Sequence, residues 1–119
     1  MRAAILLVAP IALLAACGGG GGGVPSGPFH VDLTSTGAAP RTFQALSQAS
    51  VQFTNKDTAA HQIASTGCPE LNTASLAAGA SATVTLPVGP KSCSFLDSLN
   101  PSVVGFQGSV DVLAPGNGY

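Results

Sequence analysis

The folded part of this chain reads as an all-β sandwich or barrel, on three observations. Apolar and polar residues alternate along several short segments, instead of the apolar ones recurring at three and four as on a helix. These segments are rich in Thr, Val and Phe. Between them lie clusters of Gly, Pro, Asn and Asp at short intervals, the turn chemistry of sandwiches and barrels. A length of 119 residues points to one domain.

The first sixteen residues stand apart from that pattern. Met1-Arg2 supplies a single positive charge, and Ala3 to Leu14 is apolar, too short to span a membrane and suited to a signal-peptide core. Leu14-Ala15-Ala16-Cys17 resembles the lipobox of bacterial lipoproteins, in which the cysteine thiol is acylated and becomes the first residue after cleavage. The alternative is an ordinary secretory signal cut after small residues. Residues 1–16 are therefore expected to be a lipoprotein signal peptide, with Cys17 lipidated. Two or three acyl chains, at roughly 0.8 kcal/mol per buried CH₂, anchor a protein stably where one does not.

Residues 17–27, with six glycines from Gly18 to Gly23, bury nothing and are expected to form a flexible tether. Its typical reach is roughly 15–20 Å, which holds a domain near a membrane without docking it. Gly18 follows the lipidated position, where an aspartate would resemble an inner-membrane retention signal. The expectation is a cell-envelope protein, lipid-anchored at the outer membrane of a Gram-negative source.

Residues 28–119 form the expected domain. Phe29, Val31 and Leu33 face one way, with His30, Asp32 and Thr34 between them. Val51 and Phe53 alternate with Gln52 and Thr54, Ala82, Val84 and Leu86 with Thr83 and Thr85, and Val110 and Val112 with Ser109 and Asp111. Turns fall at 36–40, 55–60, 77–81, 87–90 and 100–101. A helical turn fits only within Pro69 to Gly79.

Charge narrows the function classes. Beyond the leader, Arg41, Lys56 and Lys91 face five acidic residues, with no basic patch, so nucleic acid and anionic lipid surfaces are not expected partners. Charged residues make up 8% of the sequence, which leaves few groups for acid–base chemistry. Asp57, Glu70 and Asp97 are far apart in sequence and no Ser/His/Asp order stands out, so no enzyme is expected. The glycine run precedes no strand–helix unit and is not a phosphate loop.

The order of the pieces resembles the cupredoxins, the plastocyanin- and azurin-like copper proteins. Val51 to Ile63, with Phe53, Asn55 and His61, is similar to that family's V-x-F-x-N strand, turn and first histidine ligand. Leu76 to Pro87 resembles the strand before the cysteine hairpin. Cys93 then falls at the thiolate position, and Gly105 to Val112 resembles the closing strand. The resemblance spans roughly Phe29 to Leu113 and implies a Greek-key β-sandwich.

It also implies what is missing. A blue-copper site needs two imidazoles, a thiolate and a weak axial ligand such as methionine. In one branch the hairpin reads C-x-F-H-D-H-x-N-P, whereas Cys93 to Pro101 reads CSFLDSLNP, with Leu96 and Ser98 at the two lost histidine positions. No methionine follows Met1. His61 and Cys93 are thus vestigial ligand positions, and His61 has a second reading as a loop cap bonded to backbone. In an exported chain, and with Cys93 packed beside the His61 strand in the resembling fold, Cys68 and Cys93 are expected to form a disulfide.

The leading expectation is a lipid-anchored, metal-free, disulfide-stapled cupredoxin-like domain with a binding or structural role toward an unknown envelope partner. One rival is a copper-binding electron-transfer protein with an atypical site of His61, Cys93 and Cys68. The other is a zinc-stapled domain drawing on His30, His61, Cys68 and Cys93.

Overall fold

The computed structural model describes residues 28–116. The expected signal peptide, the expected lipidation site Cys17 and the expected tether lie outside the described residues, as do the last three of the expected domain.

Eight strands follow one another: β1 (Phe29–Leu33), β2 (Ala38–Ala39), β3 (Thr42–Ala45), β4 (Ser50–Asn55), β5 (Ile63–Ala64), β6 (Ser81–Thr85), β7 (Lys91–Asp97) and β8 (Gly108–Val112). They form two four-stranded sheets, ordered β2-β1-β4-β6 and β3-β8-β7-β5. β1 runs parallel to β4 and β3 parallel to β8, and the remaining pairs are antiparallel. From β2 through β7 each successive strand lies in the other sheet, which closes a sandwich.

The alternation read from the sequence is the alternation of burial. Val31 and Leu33 on β1, Val51 and Phe53 on β4, and Val110 and Val112 on β8 are all buried between the sheets. Leu86, one residue past β6, is buried as well. The Phe53 and Phe95 rings meet edge to face across the core, with centroids 5.7 Å apart. Phe29 and Phe43 stack at 4.2 Å and join β1 to β3 across the sheets. Removing the buried Phe53 or Phe95 ring costs about 3–5 kcal/mol.

Three points correct the sequence reading. β2, β3 and β5 are strands that it did not mark, two of them only two residues long. The helical turn expected between Pro69 and Gly79 is confined to a 3-10 turn at Pro69–Leu71, where the extended Asn72 ends it. The segment from Cys93, which the sequence reading assigned to no strand, is part of β7, which continues through Asp97, and the turn begins only at Ser98.

The parallel register of β1 on β4 places the ends of both strands, Leu33 and Asn55, side by side. β7 runs toward that same end, since Ile63 lies opposite Asp97. The connections 34–37, 56–60 and 98–107 therefore gather at one end of the sandwich, here called the apex.

Candidate functional site at the apex of the sandwich

The apex is built outward from Asn55. It ends the inward phase Val51, Phe53, Asn55, so its amide is fully buried. Its Nδ2 donates to the carbonyls of Ala59 (2.8 Å) and Leu76 (2.9 Å), and its Oδ1 accepts from the Asp57 N–H (2.8 Å). A buried amide with both N–H groups and its oxygen bonded fixes the 56–60 turn. The Thr58 N–H donates to Asp57 Oδ1 at 2.7 Å, which orients that carboxylate.

His61 follows at the end of the turn, with its backbone paired in both directions to Leu76. The side chain is 3% exposed and lies between two carboxylates. Nε2 is 2.9 Å from Asp57 Oδ2, and Nδ1 is 2.5 Å from Asp97 Oδ2. Phe106 covers the ring, with centroids 4.5 Å apart. Gly105 makes that placement possible, because a Cβ there would collide with the Thr36 carbonyl oxygen.

Asp97 comes from β7, where Cys93, Phe95 and Asp97 share the inward phase. It is 0% exposed, and four donors meet it. Oδ1 accepts from the N–H groups of Gln62 (2.9 Å) and Leu99 (3.0 Å), and Oδ2 from His61 and from Asn100 Nδ2 (2.9 Å).

This geometry sets the charge. An ionised carboxylate only accepts hydrogen bonds, so a ring with one on each nitrogen must donate from both. With Asp57 and Asp97 ionised, as their lowered pKa values favour, His61 bonds both only as an imidazolium. Burial, the largest single influence on it, works against the charged ring, but the bonds to Asp97 and Asp57 and their charges together raise its pKa above the usual value. Burial likewise disfavours the Asp97 anion, and the bonds from Asn100, Gln62, His61 and Leu99 outweigh it and hold the pKa below the carboxylate range. The Asp57 pKa is lowered, first by the His61 bond and then by the Thr58 N–H.

The other predicted site residues do not converge here. Cys68 and Cys93 are joined by a disulfide, fully buried, with Cα atoms 5.6 Å apart, as bonded cysteines require. Cys93 pairs with Val110 within the sheet, four residues before Asp97, or roughly 13 Å along a strand. It is therefore not at a ligand position beside His61; the residue there is Asp97. Leu96 alternates to the outer face, where it lines an open trough of about 710 Å³ with Ala64, Ser94 and Ser109. Ser98 is exposed, with its Oγ 3.3 Å from the Gln62 carbonyl. Neither marks a lost ligand, because neither faces the histidine. His30 is exposed on β1, so the four residues of the zinc rival are not brought together. Nor does His61 cap a loop through backbone bonds, since its partners are carboxylates.

Sequence reasoning missed Asp57, Asp97, Asn100 and Phe106. Two signals were available: an Asp four residues before a His across a turn, and an Asp on the inward phase of a strand, where a carboxylate needs a partner.

No family model matches the chain, and no curated protein does. The solved structures it is similar to include cupredoxins. A purple cupredoxin from Nitrosopumilus maritimus matches with a TM-score of 0.62 at 16% identity, covering 72% of this chain and 100% of that one. The plastocyanin of Dryopteris crassirhizoma matches with a TM-score of 0.58 at 17% identity, covering 71% and 99%. A copper-containing nitrite reductase from Thermus scotoductus SA-01 gives 0.64 at 19% identity, covering 83% of this chain but 25% of that one. The chain has the cupredoxin-like β-sandwich fold, and at these identities the likeness speaks for the fold alone.

Whether the residues present fit copper is a question of donors. Cu(II) of the blue type needs neutral imidazoles and a thiolate. At the apex both nitrogens of the one histidine are protonated, and the hairpin supplies a carboxylate and an amide. Both cysteines beyond Cys17 are in the disulfide. Among the described residues no three His, Cys, Asp or Glu side chains are grouped to hold a metal ion. Asp57 and Asp97 do not form such a group because they face opposite edges of the His61 ring. The donor set does not fit copper.

Proposed function

We propose that this protein is a non-enzymatic binding or structural module of the bacterial envelope. In this reading a metal-free, disulfide-stapled cupredoxin-like domain is carried on a lipidated Cys17 at the outer membrane. The observation that carries the metal-free part is the pair of carboxylates on His61: a ring that donates from both nitrogens has no lone pair for a metal. The anchor rests on the sequence Leu14-Ala15-Ala16-Cys17 and the glycine run behind it. The copper-binding rival draws on the fold likeness, since proteins of that fold named above contain copper, but its His/Cys site lacks a thiol once Cys68 and Cys93 are bonded.

Metabolic labelling with a radioactive fatty acid tests the anchor. The full-length chain is expected to take up label and fractionate with the outer membrane, and Cys17→Ser to remain an unlabelled precursor. Equal labelling of the two would sink it. A pull-down from envelope extract with the tethered domain then identifies the partner.

A further inference from the structure

We propose that the Asp57 carboxylate is latched to the apex by one proton, the proton on His61 Nε2, and that losing it frees this side chain and shifts the 56–60 turn, whose backbone Asn55 still holds. The inference rests on the metal-free reading above and adds a conformational function to it.

The two carboxylates that hold His61 are unequal. Asp97 sits at the end of a seven-residue strand, is fully buried and has three donors besides the histidine. Asp57 sits in a turn at the surface with a side chain 15% exposed, and among the described residues its carboxylate's one bond outside that turn is to Nε2. Each bond needs its own ring proton, and a neutral imidazole carries only one. When His61 loses a proton, the tautomer that keeps Nδ1–H retains the bond to buried Asp97, which has no access to water in compensation. The Nε2 lone pair then faces the Asp57 carboxylate. That contact is repulsive, and Asp57 relieves it by turning to solvent.

Among the described residues no other charged group is bonded to the ring. Around the ring, the 56–60 turn contributes Asp57, β7 contributes Asp97, and the 98–106 loop contributes neutral Asn100 and Phe106. Leu76 and residues 77–80, which flank His61 and Asn55, contain no titratable group. Lys56 is exposed and forms no ion pair among the described residues. The raised pKa of His61 agrees with a latch that is closed at neutral pH and opens on the alkaline side. The sign follows: a proton bound more tightly in the closed form favours that form until the pH passes the raised value. The asymmetry of the carboxylates decides which side lets go.

The test is a pH titration of the ¹⁵N-labelled oxidised protein by NMR, reading the two His61 ring nitrogens and the Thr58, Ala59 and Ala60 amides. At pH 6 both nitrogens are expected to be protonated. As pH rises above the ordinary histidine value, Nε2 is expected to lose its proton with Nδ1 still protonated. The three amides should shift with the same midpoint, while the Leu99 amide stays still. In Asp57→Asn the amide NH₂ can donate to an unprotonated Nε2, so the amide step in the turn should vanish. An unprotonated Nε2 at pH 6, first loss from Nδ1, or turn amides that ignore the titration would each overturn the latch. The titration is repeated after chelator treatment. A His61 shift on chelation at constant pH would instead identify a bound metal and refute the metal-free reading.

Discussion

Asp97→Asn is the substitution that asks most of this account. The amide has nearly the shape of the carboxylate, so packing at the end of β7 is kept and only charge and hydrogen-bond polarity change. Oδ1 still accepts from the Gln62 and Leu99 N–H groups. The new NH₂ replaces Oδ2 and points at two donors, His61 Nδ1 and Asn100 Nδ2. The imidazolium loses its fully buried counter-charge and keeps only Asp57 at the surface. Removing one member of a buried ion pair costs about 3–5 kcal/mol. Against a total stability of about 5–15 kcal/mol this is a large share. For a domain of this size it lowers Tm by about 12 °C or more.

The cost should depend on pH. Below the raised His61 pKa the variant must hold a buried cation without its partner. Above it, a neutral ring can turn its Nδ1 lone pair toward the new amide NH₂, and the difference narrows to that between charged and neutral hydrogen bonds, about 1–2 kcal/mol. Urea unfolding followed by far-UV circular dichroism, in buffers from pH 5 to pH 10, measures both. A cost below about 1 kcal/mol throughout, or one that grows with pH, would refute the imidazolium.

Further predictions follow from the same geometry. Wild-type stability should show a plateau between about pH 4 and pH 6.5. The raised His61 pKa contributes stability that is complete below the ordinary histidine value and is lost as pH rises through the raised one. The lowered Asp57 and Asp97 values contribute stability that is complete above the ordinary carboxylate value and is lost as pH falls through the lowered ones. Urea titrations across that range check both edges. The Cys68→Ala, Cys93→Ala pair should lose about 3–4 kcal/mol by the loop-closure account, since the bond spans 25 residues, and the denatured, unreduced parent should titrate no free thiol beyond Cys17. Leu96→His with Ser98→His and Cys68→Ser should gain no copper site, because Leu96 faces the outer trough and Ser98 faces solvent; calorimetry with Cu(II) reads this directly.

Much of the fold was legible because burial in a sandwich follows a period of two, and β1, β4, β6 and β8 carry that period in Val, Phe and Thr. β2 and β5, at two residues each, are too short to show any period; only their partners define them. The disulfide was legible through the resemblance and the exported context. The apex was misread for one reason. The hairpin motif was aligned on its cysteine, which placed Cys93 beside His61, whereas the strand runs four residues farther and delivers Asp97. The inward phase of β7 contained the correction, for a carboxylate in step with Cys93 and Phe95 points into the core. Its partner, 36 residues earlier, is a contact that no local pattern reveals.

The central claim is that His61 is held protonated between two carboxylates, which leaves neither ring nitrogen for a metal. Its most direct test is a Cu(II) titration of the purified, oxidised domain at neutral pH, followed by visible absorption and calorimetry. The account predicts a colourless solution and binding no tighter than an exposed histidine provides. An intense visible band, or tight one-to-one binding abolished by His61→Ala, would contradict it.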